Sequence, residues 1–353
     1  MNIIDGKQWK TFHRAVQTYS AVVSYILNIL LIFLIIKKSP KNLGSYKYFM
    51  LYFAFFGISY STLDIVVRPT IHTYKAAFLV YVEVDENSEY KKLWTLLDIS
   101  WCSYFGYSLA ILVVHFIYRY VAIAHAQYIE YFNGYYLIFW FIIPTTFFIN
   151  WGTTHYIWFT PDPIKDAYVN GTIMENYGLS LNQVVYITGL FWPPNKDGIP
   201  EPDWTVFMVI FDMNMMIMTS MASMLYFGVK SYLRISKLSD MTRNQSDHTR
   251  GLQRQLFIAL VIQTCIPLLT MHFPIGGLLF CQMITYELGY ISRFTTLTIS
   301  LYPALDPLPT LLIVKSYRKA LIKYLCCFKN IRIQVVSEGV QSSTRNVSTT
   351  LNA

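Results

Sequence analysis

Charge is scarce in this chain. Only 14% of its 353 residues are Asp, Glu, Lys or Arg, against 54% hydrophobic residues and a mean hydropathy of +0.37. Soluble domains carry about 25% charged residues, so there is too little polar surface for the two or three water-facing domains that the length would allow. Cysteine is sparse as well. Cys102, Cys265 and Cys281 sit in apolar runs and Cys326 and Cys327 are adjacent, a distribution that gives neither a metal-site spacing nor a disulfide framework. Seven histidines are scattered without a ligand cluster, and no nucleophile elbow or phosphate-binding loop occurs. Neither an enzyme nor a cofactor is therefore expected. Internal repeats are missing, which removes the signature of transporters built from inverted halves. A cleavable signal peptide is not evident either: MNIIDGKQWKTFHR is polar, and the first apolar run starts at Ala15.

What the chain has is long apolar runs. Seven approach or exceed the length needed to cross a bilayer, near 15–36, 48–67, 93–118, 135–151, 205–229, 255–281 and 288–314. The expected fold is an all-α membrane protein, a bundle of seven transmembrane helices. With the N-terminus outside, the inner segments hold 18 Lys/Arg and the outer segments 9, which favours N-out and C-in. The net charge of +8 is thus spent on orientation, and no nucleic-acid partner is expected. The outer loop 152–204 carries six acids and two lysines, and Asn170-Gly-Thr within it is the candidate glycosylation site. The sequons at Asn244 and Asn346 fall inside and are expected to stay unmodified.

Local sequence narrows the class. KNLGSYKYFMLYFAFF at 41–56, HFIYRY at 115–120, RGLQRQLFIALVIQTCIPLL at 250–269 and LYPALDPL at 301–308 occur in order from the second span to the seventh. With a basic third inner loop and a basic tail, the chain resembles G-protein-coupled receptors, specifically nematode seven-transmembrane chemoreceptors of the Str/Srj type, over nearly its whole length. That resemblance implies an olfactory-type receptor in the plasma membrane of sensory cilia, binding a small odorant or water-soluble chemical and activating a heterotrimeric G protein. Two rivals remain: a seven-span ligand-gated cation channel like the insect odorant receptors, which the 18-to-9 count disfavours because those run N-in, and an orphan membrane transporter.

Several residues are candidates for a switch. Asp306 lies eight residues from the inner end of the seventh span and Asn28 eight from that of the first, so both sit ~12 Å deep and a bond between them is expected. Pro303, Pro307 and Pro309 remove backbone donors nearby, giving either a polar hinge or a static kink. Tyr118-Arg119-Tyr120 takes the place of the rhodopsin-like Asp/Glu-Arg-Tyr motif with Tyr118 where the acid would be. Arg119 is read as a coupling residue or as an interfacial arginine snorkelling to headgroups. Pro267, midway along the sixth span, resembles a hinge proline. Residues 230–254 are polar and basic, suited to a partner protein or to anionic lipid.

For a ligand, Asp98, Trp101, Cys102 and Phe105 share one face of the third span, with Asp212, Met271, His272 and Arg293 opposite. Arg293 is expected either to neutralise Asp98 or Asp212 in a purely structural bridge or to stand at the ligand. Loop 152–204 has turn signals (PPNKDG, IPEP) and no cysteine, so the disulfide of most rhodopsin-like receptors cannot form and a mobile loop is expected. KSYRKALIKYLCCF, 315–328, reads as an amphipathic helix in the membrane interface, with Cys326 and Cys327 as candidate palmitoylation sites. Residues 1–328 form the receptor domain, and 329–353, rich in Ser, Thr and Asn, a disordered cytoplasmic tail.

Overall fold

The structure, a computed structural model, describes residues 6–40, 43–241, 247–288 and 291–324. Helices dominate it. The first four spans are α1 (Gly6–Lys38), α2 (Tyr46–Val67), α3 (Lys91–Ala124) and α4 (Tyr136–Trp158), and between the last and the fifth span lies a shorter helix, α5 (Pro163–Tyr177). The fifth span is α6 (Trp204–Met241). The sixth is α7 (Asp247–Pro267), a π-helical turn (Leu268–His272) and α8 (Phe273–Met283) in series. All six spans are long and apolar enough to cross a membrane. The seventh is α9 (Ile291–Leu305) with α10 (Pro307–Ile313), ending in a 99° bend into α11 (Lys315–Tyr324).

The seven runs read from sequence each become a span; the first six are longer than expected, and the seventh, read as 288–314, is shorter, Ile291–Ile313. The fourth, read as 17 residues, is a helix of 23. The fifth continues to Met241, and α7 begins at Asp247, so helix occupies much of the basic 230–254 segment. Helix is forced where no water can satisfy the backbone, and side chains such as Ile26, Ile29 and Phe33 on α1 stay exposed for lipid. α4 is the most peripheral span: only 11% of its apolar window is buried. It docks on α3 through Trp151, whose ring would stand 2.7 Å from a Cβ at Gly106, so the glycine is what admits it.

One end of the bundle carries a cap. The segment between α2 and α3 is a hairpin of β1 (Thr70–Tyr74) and β2 (Ala77–Glu83), and β3 (Val184–Leu190) pairs antiparallel with β2. Loop 152–204, expected to be mobile, is thus a helix and a strand. Backbone pairing across about a hundred residues of sequence holds it in place of the absent disulfide. The sheet is covered on both faces. Ile71, Val80 and Ile187 are paired across the three strands and, with Phe78, join the bundle core. Leu79, Tyr81 and Tyr186 face the other way and pack on Val169 and Ile173 of α5. α5 is well bounded: Asp162 Oδ1 accepts from the amides of Ile164 and Lys165 at 2.9 Å, Pro163 stands at the first turn, and Gly178 closes it at φ 66°.

At the opposite end α11 lies across the bundle. Tyr317 is fully buried and shares a 2.8 Å hydrogen bond with Ser39, while Lys315, Arg318, Lys319 and Lys323 are exposed. This agrees with an amphipathic helix as far as Tyr324. Cys326, Cys327 and the 329–353 tail lie outside the described residues.

Candidate functional site

Beneath the sheet the bundle encloses a cavity of about 240 Å³. α3 supplies Trp101, Cys102 and Phe105, α4 supplies Trp151 and His155, the sheet supplies Ile71, Phe78 and Val80, and α6 supplies Met213, Asn214 and Met218. Across from them His272 ends the π-helical turn next to Pro267. A π turn carries an extra residue and rotates the rest of the helix, and here it seats His272 edge-on against Phe105, ring centroids 4.1 Å apart. Neither ring nitrogen of His272 has a hydrogen-bond partner among the described residues. His155 donates from Nδ1 to the Trp151 carbonyl at 2.8 Å, which leaves its Nε2 as an acceptor. No Asp, Glu, Lys or Arg is among the lining residues. The cavity therefore suits an uncharged, largely apolar molecule.

Of the eight ligand candidates, four meet here: Trp101, Cys102, Phe105 and His272. Asp98, one turn from Cys102, is fully buried outside the lining, and neither carboxylate oxygen has a hydrogen-bond partner among the described residues. Met271 is fully buried in the core. Asp212 is exposed on α6 and points away from the cavity wall. Arg293 does not neutralise Asp98 or Asp212. It turns to the cap, donating from Nη2 to Asn176 Oδ1 at 3.0 Å with its guanidinium 5.0 Å from the Tyr177 ring centroid. Tyr177 and Thr172 of α5 in turn bond the two ring nitrogens of His72, at 3.2 and 2.9 Å. These contacts latch α5 to β1 and α9. Asn170 is exposed on α5, whereas Thr172 of its sequon is buried in the latch.

At the other end of α3, Arg119 is 1% exposed, which removes the snorkelling alternative. Its guanidinium stacks 3.4 Å from the centroid of the Tyr46 ring, and Nη1 donates to Gln253 Oε1 of α7 at 2.8 Å. A buried tyrosine face on α2 thus does part of what an adjacent acid does elsewhere. Tyr118 packs against Tyr46 and Phe49, and the Tyr120 hydroxyl pairs with His125 at 3.1 Å. α2, α3 and α7 are clasped together.

Between the two ends lies the proline-rich stretch of the seventh span. Pro307 has no N–H for the Pro303 carbonyl one turn earlier. That carbonyl is satisfied from the first span instead: Asn28 Nδ2 and Ser24 Oγ both donate to it at 3.1 Å. The expected Asn28–Asp306 bond is therefore replaced by a bond from Asn28 to the backbone that Pro307 frees. Asn28 also fits against Gly57 of α2, where a Cβ would stand 3.1 Å from its amide. The Asp306 carbonyl accepts from Gln263 Nε2 of α7 at 3.0 Å, while its carboxylate Oδ1 is buried without a partner among the described residues.

Comparison with known proteins bears on this arrangement. Residues 13–322 match the family model of the serpentine type 7TM GPCR chemoreceptor Str. The chain belongs to the Str family of serpentine chemoreceptors. It is a multi-pass membrane protein of a receptor family rather than an enzyme family. Relatives in Caenorhabditis elegans include the G-protein coupled receptor str-217, 31% identical over 89% of this chain and 90% of that one. Serpentine receptor class r-10 is 28% identical over 98% and 99%, and serpentine receptor class J-38 is 25% identical over 85% and 89%.

Several residues of this Str receptor's cavity and its surround escaped the sequence reading. Trp151 and His155 stand at i and i+4 in α4, but the apolar run read from sequence ends at residue 151, which left His155 in the loop and the spacing unseen. Asp64, a buried carboxylate near the end of α2, accepts from Trp101 Nε1 at 2.9 Å and so fixes a cavity wall. As an ionisable residue inside an apolar run it carried its own signal. Tyr46 and Gln253 gave none, because only the fold brings them to Arg119.

Proposed function

We propose that this Str receptor lies N-out and C-in in the plasma membrane, binds a small uncharged chemical in the cavity under the sheet, and activates a heterotrimeric G protein at the opposite end. Support for the orientation is the excess of Lys/Arg in the segments at the tail end. The observation that carries the reading is that one helix holds both working ends. α3 bears Trp101, Cys102 and Phe105 in the cavity wall and, 14 residues beyond Phe105, Arg119 in the clasp. At 1.5 Å per residue the two are ~21 Å apart on one rigid rod.

A ligand that seats between Phe105 and His272 bears on the third and sixth spans at once. Movement of the sixth span about Pro267 and its π turn carries Gln253 away from Arg119. The same movement pulls at Gln263, which holds the Asp306 carbonyl beside the Pro303–Pro307 break. Release of the clasp frees Arg119 and the α3–α7 seam for a G protein.

The test is agonist-driven G-protein activation in a heterologous cell, screened over volatile and water-soluble chemicals. With an active chemical in hand, Phe105→Ala is expected to raise the half-maximal concentration at least tenfold. Arg119→Ala is expected to abolish activation at matched surface amounts while leaving binding intact. Wild-type curves from both variants sink the reading.

A further inference from the structure

We infer that the cavity is loaded from the bilayer, through a gap between the fifth and sixth spans, so that its ligand is a small uncharged lipophile that partitions into membrane before it binds. This rests on the cavity being the ligand site, and it adds where the ligand comes from and what solubility it must have.

The direct route from water is closed. Ile71, Phe78 and Val80 roof the cavity and are each no more than 6% exposed, and α5 covers the far face of their sheet. The cap is pinned at several points along its rim. Ile71 N donates to Thr296 Oγ1 at 3.0 Å, Thr188 N to the Phe159 carbonyl at 2.8 Å, and Trp192 Nε1 to the Met283 carbonyl at 2.9 Å. Arg293 and His72 add the latch already described.

The side wall differs. Every lining residue from α2, α3, α4, α9 and the sheet is buried. The exposed ones are Asn214 and Met218 on α6 and Phe273 and Gly276 on α8, and the half-buried ones lie on these same two spans. α6 packs along α3 and meets the sixth span only slightly. The seam is open at Gly276, where an added Cβ would meet nothing within 4 Å. Across the seam stand methionines, whose flexible thioethers adapt to what passes. Gly276 is seven residues before the end of α8 at Met283, ~10 Å along the helix, and on the same two spans Phe211, Met215, Leu269 and Phe280 are exposed apolar side chains. The gap therefore opens onto hydrocarbon, which excludes charged solutes and concentrates apolar ones.

The experiment uses the full-length receptor in liposomes and 3-trifluoromethyl-3-phenyldiazirine, an apolar carbene precursor that dissolves in the bilayer. The sample is irradiated at a series of times after mixing, and adducts are mapped by mass spectrometry. Adducts are expected on Trp101 and Phe105 as well as on lipid-facing Phe211. Gly276→Trp, or Met218→Trp from the other wall should the first fail to fold, is expected to slow cavity labelling at least tenfold with Phe211 labelling unchanged. His72→Ala, which loosens the cap, is expected to leave the cavity rate as it was. Unchanged cavity labelling in the tryptophan variants overturns the inference. So does faster labelling in His72→Ala, or a clean cavity beside a labelled Phe211. No agonist or G protein enters this readout, so a failed signalling screen and a closed gap are told apart.

Discussion

Replacing Tyr46 with leucine is predicted to switch the receptor partly on without ligand. The Arg119 guanidinium lies 3.4 Å from the Tyr46 ring centroid and is 1% exposed, and a desolvated pair of this kind is worth about 2 kcal/mol. If the clasp exists only in the closed arrangement, that loss moves the closed–open equilibrium ~30-fold, since each 1.36 kcal/mol is tenfold. A receptor ~1% open at rest becomes ~23% open. Tyr46→Phe is the control. It keeps the ring and loses only the hydroxyl, which faces His115 at 3.2 Å, so it should stay near wild type. Gln253→Leu removes a hydrogen bond to a charged group, ~1.5–3 kcal/mol, and should act in the same direction. The assay is agonist-independent nucleotide exchange on a G protein in membranes with matched receptor amounts. Wild-type exchange in Tyr46→Leu, or an equal rise in Tyr46→Phe, refutes the clasp.

Pro307→Ala restores an N–H for the Pro303 carbonyl and competes with Asn28. It is predicted to raise thermal stability and reduce agonist-driven signalling, whereas Asn28→Leu strips a bond worth ~0.6–1.7 kcal/mol and lowers the melting temperature. Asp306→Asn is predicted to fold normally and to shift basal or maximal signalling, and curves overlaying wild type for both Asp306→Asn and Pro307→Ala reduce the stretch to a static kink. Acid should open the cap. Burial, and then the nearby Arg293 charge, lower the His72 pKa from 6.5 to about 4. The neutral form is favoured in the folded cap, so its contribution is whole above pH 6.5 and is lost as pH falls toward 4, up to ~3 kcal/mol. Hydrogen exchange of β1 and α5 at pH 7 and pH 5 measures this, and His72→Gln should flatten the difference. Glycosidase treatment should remove one glycan, and Asn170→Gln should abolish the shift; a glycan at Asn244 or Asn346 inverts the topology.

The spans were legible because lipid leaves the backbone no alternative to helix, so twenty apolar residues suffice to announce one. The cap was not. AFLVYV and VVYITGL are continuous apolar runs too short to span, and strands buried on both faces lose the alternation by which a strand is usually recognised. α5 has plainer signals, with Asp162-Pro163 opening it and Gly178 ending it, inside a loop expected to be mobile. Within the site, the helical spacing of Trp101, Cys102 and Phe105 carries through to one cavity wall. Charge does not carry through. Asp212 and Arg293 group with the cavity in sequence because they are polar residues at matching depth, and depth says nothing about which way a helix face is turned. Sequence gives Asn28 its depth but not its acceptor: Asn28 bonds the Pro303 carbonyl that Pro307 leaves free, and Asp306 Oδ1 stays without a partner among the described residues.

The roof of the cavity is a strand, and a strand presents alternate residues to each side. Phe78 and Val80 look into the cavity while Leu79 and Tyr81 look into α5. Sliding β2 by one residue against β3 would exchange the two sets, setting a leucine and a tyrosine hydroxyl over the cavity without altering a single helix. A residue gained in one connection of β2 and lost in the other would produce such a slide. With the cavity as the proposed ligand site, the length of the turns around β2 then bears on what the receptor detects as directly as the identity of the lining residues.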